Sequence, residues 1–308
     1  MMEVTNHATT VQCSLESLTV ADFSQELIAN FLRKIGGYQA LVLQDTEPEA
    51  LHKMRVGMRR LRTILQVLEP LIVLPTDFSG RSIGQLAKQM GAVRDLDVMK
   101  ESLQTVGQDL PPGEQKILTK IAKSLARRRR PAFAQLEKSL ATSYRSIMKA
   151  GQQWTIHPRY RHASLANQPV AEVVPDLLLP IIGGFFLHGG WGVLATELDE
   201  NQAIVHDLRK CTKRIRYQTE FFSPCLSNEL AQFLSPLEAG QECLGTMQDA
   251  AVLRDFIEQE VGGKVFKKMP VLIDRLEQKT ENAWQEWQAI RGQLCDPQWR
   301  QSLRRAVL

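Results

Sequence analysis

The stretch His52-Lys-Met-Arg-Val-Gly-Met-Arg-Arg-Leu-Arg62 returns, 154 residues later, as His206-Asp-Leu-Arg-Lys-Cys-Thr-Lys-Arg-Ile-Arg216. His52 falls on His206, Arg55 on Arg209, Arg59 on Lys213, Arg60 on Arg214 and Arg62 on Arg216. The same offset, with no gap, places Gly91 on Gly245, Asp95 on Asp249, Phe31 on Phe185, Phe133 on Trp287 and Leu140 on Leu294. Self-similarity over such a length implies one supersecondary unit present twice.

The unit is helical. Apolar residues recur at helical spacing through most of the chain, and no strand alternation competes with them. Thr46-Glu-Pro48-Glu49 reads as a capping box with proline at the first helical position, and Pro70 and Pro75 close that helix. The punctuation predicts helices near 22–44, 48–69, 79–105, 114–148, 175–198, 201–223, 229–260 and 265–295. The expected fold is all-α: two four-helix bundles related by an internal pseudo-two-fold axis. One domain is expected over 20–295, built from a unit at 20–149, an irregular connection at 150–174 and a second unit at 175–295. Residues 1–19 read as an N-terminal extension and 296–308 as a C-terminal tail.

Composition excludes several classes. A charged fraction of 23% and a net charge of +4 do not make a disordered polyelectrolyte. The five cysteines are odd in number and contain no C-x-x-C, so reduced cytosolic thiols are expected rather than a disulfide framework or a zinc site. The N-terminus lacks a basic start followed by an apolar run, so no signal peptide is expected. Residues 177–195 carry no formal charge and approach the length of a membrane span. They include Pro180 and five glycines, and they align with the ordinary amphipathic stretch 23–41. A buried helix is therefore expected, with no membrane partner.

On a helix, at about 100° per residue, His52, Arg55, Arg59 and Arg62 share one side with Arg60 at its flank, while Met54, Met58, Leu61, Ile64, Leu65 and Leu68 take the other. No acid stands between Glu49 and Glu69 to pair with the stripe at i,i+4. The second copy repeats it with His206, Arg209, Lys213, Arg214 and Arg216, and adds the hydroxyl of Tyr217. Two uncompensated cationic helices that face one another across an axis repel unless an anion lies between them. Arginine forks match phosphate oxygens in a bidentate manner, and a histidine among arginines becomes a donor as phosphate arrives. The near-absence of aromatics from both stripes disfavours nucleic acid, which calls for stacking surfaces, and favours a linear polyanion without bases. Lys88, on the helix of Asp95, is a further candidate contact. Asp95 and Asp249 are read as structural ion-pair partners of motif arginines.

Catalytic readings are weaker. Asp95 and Asp97, with the motif histidines, form a conceivable metal-dependent phosphohydrolase site, but Asp97 aligns with Ala251. No P-loop or G-x-S-x-G string is present, so no enzyme activity and no cofactor are expected. The run Arg127 to Arg130 aligns with the non-basic Glu281 to Trp284 and reads as a solvated or auxiliary patch.

The doubled string His52-x-x-Arg55-x-x-x-Arg59-Arg60-Leu61-Arg62 and His206-x-x-Arg209-x-x-x-Lys213-Arg214-Ile215-Arg216-Tyr217 resembles the CHAD family, the conserved histidine α-helical domain. So do Gly91-x-x-Arg94-Asp95-x-Asp97-Val98 and Leu244-Gly245-x-x-Gln248-Asp249-x-x-Val252. The resemblance covers about residues 20 to 295. It implies paired four-helix bundles that bind inorganic polyphosphate in a basic groove or pore at the axis, without catalysis. It also implies a cytoplasmic protein associated with polyphosphate granules. Carried over, His52, Arg55, Arg59, Arg62, His206, Arg209, Lys213 and Arg216 would face the phosphates. Gln248 departs from the pattern set by Arg94, and the E-x-E-x-K signature of a triphosphate-tunnel partner domain is absent.

Overall fold

The computed structural model describes residues 18–198, 200–226, 228–262 and 264–308. In chain order the helices are α1 (Val20–Gly36), α2 (Gln39–Gln44), α3 (Pro48–Val67), α4 (Gly80–Val106), α5 (Pro112–Ser139), α6 (Arg145–Ile156), α7 (Ala163–Ala166), α8 (Val170–Phe186), α9 (Gln202–Phe222), α10 (Leu234–Val261), α11 (Val265–Lys268), α12 (Pro270–Cys295) and α13 (Pro297–Val307). The described residues contain no strand, only the isolated bridges Thr19 to Pro169 and Ile72 to Tyr160. The fold is all-α. The starts of α3 and α9, and those of α4 and α10, stand 154 residues apart, the offset at which the basic motif recurs.

Local chemistry sets most of the boundaries. Thr19 caps α1 by accepting from the Asp22 N–H, and Ser79 caps α4 by accepting from the Ser82 N–H. Pro48 opens α3 at a position where no backbone donor is needed, but the capping box expected at Thr46 does not form: Glu47 is the N-cap and its side chain makes no capping hydrogen bond. At its other end α10 closes on Gly262, whose φ of 77° suits a residue without a Cβ. Gly57, inside the first basic motif, is where α1 comes close to α3: a Cβ there would stand 2.8 Å from Ile35 Cγ1.

The helices expected over 22–44 and 265–295 are each broken in two, as α1 with α2 and α11 with α12, and the one expected over 229–260 opens with a 3-10 turn at Asn228–Phe233. Three other segments differ more from the sequence reading. The helix expected over 114–148 runs on to residue 156, as α5, a π turn at Leu140–Tyr144 and α6. Much of the expected connection is thus helix pinned to the first half, where buried Trp154 donates to the Val73 carbonyl at 2.9 Å. The helix expected over 175–198 is α8, which begins earlier and stops at Phe186. After it, His188 Nδ1 accepts from the Gly190 N–H and Trp191 turns inward onto Trp287, with ring centroids 5.5 Å apart. Of the described residues, only Val170–Gly192 is long and apolar enough to cross a membrane. One face of α8, including Val174, Leu178, Ile182 and Phe185, is buried within the protein. Residues 297–307, expected as a tail, form α13, capped by Asp296. Leu303, Ala306 and Val307 are buried at helical spacing, and Trp299 packs edge-on against Phe186 and Phe233.

The main core runs through both halves of the chain. Phe23 of α1 stacks on Phe222 of α9 at 5.4 Å, and Phe31 meets Phe221 at 5.8 Å. A second apolar cluster joins Leu103, Leu118 and Ile121 of the α4–α5 end to Leu253, Phe256 and Leu272 of the α10–α12 end. Each buried aromatic or aliphatic side chain contributes about 1.5–3 kcal/mol relative to exposure, so this shared packing holds α3 and α9 in a fixed relation.

Candidate functional site

Both basic motifs lie where α3 meets α9, with α4 alongside α3 and α10 alongside α9. Arg59 Nη2 donates to Tyr217 Oη at 2.7 Å, and Arg60 Nη2 pairs with Glu220 Oε1 at 2.6 Å. Met54, Met58 and Leu61, on the opposite face of α3, are buried, as the wheel predicts. With the apolar face anchored, the cationic face is committed to the α9 side.

Two arginines rest on glycines of the neighbouring helices. A Cβ at Gly91 would stand 3.4 Å from Arg55 Nε, and one at Gly245 would stand 3.5 Å from Arg209 Nε. Arg55 lies 3.6 Å from Asp95, and Asp249 is the chief counter-charge to Arg209. The duplicated glycine and aspartate thus seat the duplicated arginine, which accounts for the recurrence of all three. Arg62 lies closer still to its neighbour: a Cβ at Gly84 would be 3.0 Å from the guanidinium carbon.

The electrostatics show the two stripes converging. Burial, then Arg59, Arg209 and Arg55, pushes Lys213 down to about 7, with Asp249 opposing. Burial is also the main cause that lowers Arg55 and Arg209, each partly countered by its aspartate. His52 is held below the usual histidine value by burial, then by Arg94, although Glu49 pulls the other way. His206 is lowered by burial and by Lys210 and Arg209, while a hydrogen bond with Gln248 raises it. Buried Arg59 Nε, Arg209 Nε and His206 Nδ1 have no acceptor among the described residues. A cluster so rich in donors and positive charge can take a multiply charged anion with several acceptor oxygens.

The other predicted residues divide by surroundings. Tyr217 is only 3% exposed; its hydroxyl accepts from Arg59, and the guanidinium groups of Arg59 and Arg60 lie 5.6 and 5.3 Å from its ring centre. It positions cations rather than standing free in the groove. Arg60 is taken up by Glu220 and by the rings of Phe31 and Phe221, and Arg216 pairs with Glu238. Arg62, Lys88 and Arg214 are exposed. Asp95 has the partner expected of it. Asp97 does not stand beside it as a metal-binding pair: it is 6% exposed and its Oδ1 accepts from Arg129 Nε at 2.6 Å. Arg129 also forks onto both oxygens of Asp45, so part of the 127–130 run is structural. Arg128 pairs with Glu260. Among the described residues no group of His, Cys, Asp and Glu is arranged to hold a metal ion.

The sequence reading marked Arg94 and Gln248 as an asymmetric pair of positions, and they stand beside His52 and His206. What escaped it were the pairings of Glu220 with Arg60 and of Glu238 with Arg216, and Gly84 under Arg62. Of these, Gly84 had a legible signal, since Gly84, Gly91 and Asp95 follow a seven-and-four spacing on one face of α4.

The all-helical fold with a doubled His-Arg motif at its centre defines a CHAD domain. The chain matches that family over residues 26–258 and belongs to it. It is similar to the crystal structure of the CHAD domain from the plant Ricinus communis, with a TM-score of 0.63 and 25% identity over 95% of this chain and 92% of that one. PptA from Streptomyces chartreusis shares the fold, with a TM-score of 0.58 at 17% identity over 92% of this chain and 97% of that one. No curated protein matches the chain in sequence.

Proposed function

We propose that this protein binds inorganic polyphosphate, without turning it over, along the groove between α3 and α9. The observation that carries the reading is the meeting of Arg55, Arg59, Arg209 and Lys213, where burial, and after it the charge of the three arginines, pushes the lysine down to about 7. A linear phosphate chain supplies closely spaced anionic oxygens, which suit guanidinium forks from two helices at once. The sole tyrosine of the cluster is buried, so no base-stacking platform accompanies the cations. Membership of the CHAD family supports the same ligand class, and the reading extends to a cytoplasmic protein that associates with polyphosphate granules.

The test is titration with long-chain polyphosphate at fixed ionic strength, with single-stranded DNA as competitor. Arg59→Glu with Lys213→Glu should lower affinity by about a hundredfold or more, as for loss of buried charge partners, with the helical circular dichroism unchanged. Equal affinity in wild type and double variant, or displacement by DNA at equal phosphate concentration, would refute the reading. Incubation with Mg²⁺ should release no orthophosphate above an Asp95→Asn control. A fluorescent fusion should form foci on polyphosphate granules, and the double variant should not.

A further inference from the structure

The stripe of α4 that faces the groove and the matching stripe of α10 carry opposite charge. On α4 the positions at three- and four-residue spacing are Arg81, Gly84, Lys88, Gly91 and Asp95. On α10, at the repeat offset, they are Ser235, Glu238, Glu242, Gly245 and Asp249. The glycines orient both stripes: Gly84 and Gly91 lie under Arg62 and Arg55, and Gly245 lies under Arg209. The glycine and aspartate nearest the centre are the same on both helices, and the divergence begins one turn outward.

There the helices beside the motif arginines differ: Arg81, Gly84 and Lys88 on α4 stand against Ser235, Glu238 and Glu242 on α10. Arg62 lies against Gly84, exposed, with Lys88 and Arg81 exposed along the same face. None of these three has an ion-pair partner among the described residues. Their counterparts are closed to an anion. Arg216 is neutralised by Glu238, and Glu242 is exposed next to it.

Resting on the polyphosphate reading, we infer that the groove has a direction. A chain longer than the central cluster extends outward over α4, on Arg62, Lys88 and Arg81, and is turned away from α10 by Glu238 and Glu242. The α4 shelf is then a second phosphate subsite, engaged only by longer chains, and the basis of a chain-length preference. Phosphates laid on α10 would instead meet like charge, which repels without any compensating donor.

The experiment compares affinities for long-chain polyphosphate and tripolyphosphate, and reads their ratio. Arg62→Ala with Lys88→Ala should lower the ratio by about fivefold or more, the size expected when a few exposed charge pairs are lost. Gly84→Glu, which gives Arg62 the partner that Arg216 already has, should lower it in the same way. Glu238→Gln with Glu242→Gln should raise it. The direction is overturned if the α4 variants leave the ratio unchanged, or if the α10 variant lowers it as they do. A wild-type protein that binds neither polymer overturns the polyphosphate reading itself, and the central Arg59 and Lys213 double variant separates the cases. If that variant loses both ligands while the α4 variants keep the wild-type ratio, only the directional inference fails.

Discussion

The basic helices α3 and α9 carry nearly the same side chains at the same offsets, and they are used differently. Arg55 and Arg209 are seated alike, each on a glycine with an aspartate nearby. Farther along, Arg62 is exposed over Gly84 while Arg216 is paired with Glu238. His52 lies beside Arg94, whereas His206 hydrogen-bonds to Gln248. Arg60 is bound to Glu220 and packed among aromatic rings, whereas Arg214 is exposed. The lesson is that a repeated cationic motif sets where positive charge stands, but its neighbours decide which charges remain available.

The largest effect expected from breaking the comparison concerns the part that is alike. Arg55→Ala and Arg209→Ala should each weaken polyphosphate binding by about tenfold to a hundredfold, the range for losing charge-assisted hydrogen bonds. Calorimetric titration of both variants checks this, and a difference between them beyond tenfold would show that the two seats are not equivalent.

Next comes Tyr217, which has no aromatic counterpart, since Thr63 occupies its place in the first copy. Tyr217→Phe removes the acceptor that holds Arg59. Affinity should fall about tenfold while the melting temperature changes little, because the ring stays buried.

The third contrast is between Lys213 and Arg59, which stand at equivalent positions; burial, then the neighbouring arginines, pushes the lysine down to about 7. An anion in the groove should restore the lysine proton, so binding takes up a proton above pH 7 and affinity falls as pH rises, by at most tenfold per unit. Stability moves the other way. The folded value lies below that of the unfolded chain, so the destabilisation is full below pH 7 and is relieved as pH rises from 7 toward the ordinary lysine value of 10.5. Lys213→Arg should abolish both dependences, measured by titration and thermal melting across that window.

The smallest effect concerns the histidines. Arg94→Gln should raise the His52 pKa, and Gln248→Arg should lower that of His206, so that exchanging the neighbours exchanges the titrations. Proton NMR of the ring signals reads both shifts.

The helical class, the repeat offset and the paired Gly91-Asp95 and Gly245-Asp249 seats were legible in the chain because each depends on spacing within one helix or on comparing one stretch with another. What escaped depends on partners far apart in sequence. Tyr217 reads as a free hydroxyl on the helix wheel, yet Phe221 and the Arg59 fork enclose it. Arg129 reads as one of a solvated run, yet α2 and α4 bring Asp45 and Asp97 to it. The α13 segment reads as a tail because its few apolar residues make a face only once Phe186 and Phe233 are there to receive it.

By itself the sequence determined that this protein is built of helices, that its basic motif recurs 154 residues on, and that each copy of the motif turns a cationic face opposite an apolar one. Those properties arise from local periodicity, which a helix imposes on any chain with this pattern. Only the tertiary structure decided that the two faces meet and that Lys213 stands among three arginines. It also decided that Arg62 stays open where Arg216 is neutralised. The physical reason is that electrostatic character depends on distance and burial, and the packing of α3 on α9, with α4 and α10 beside them, supplies both.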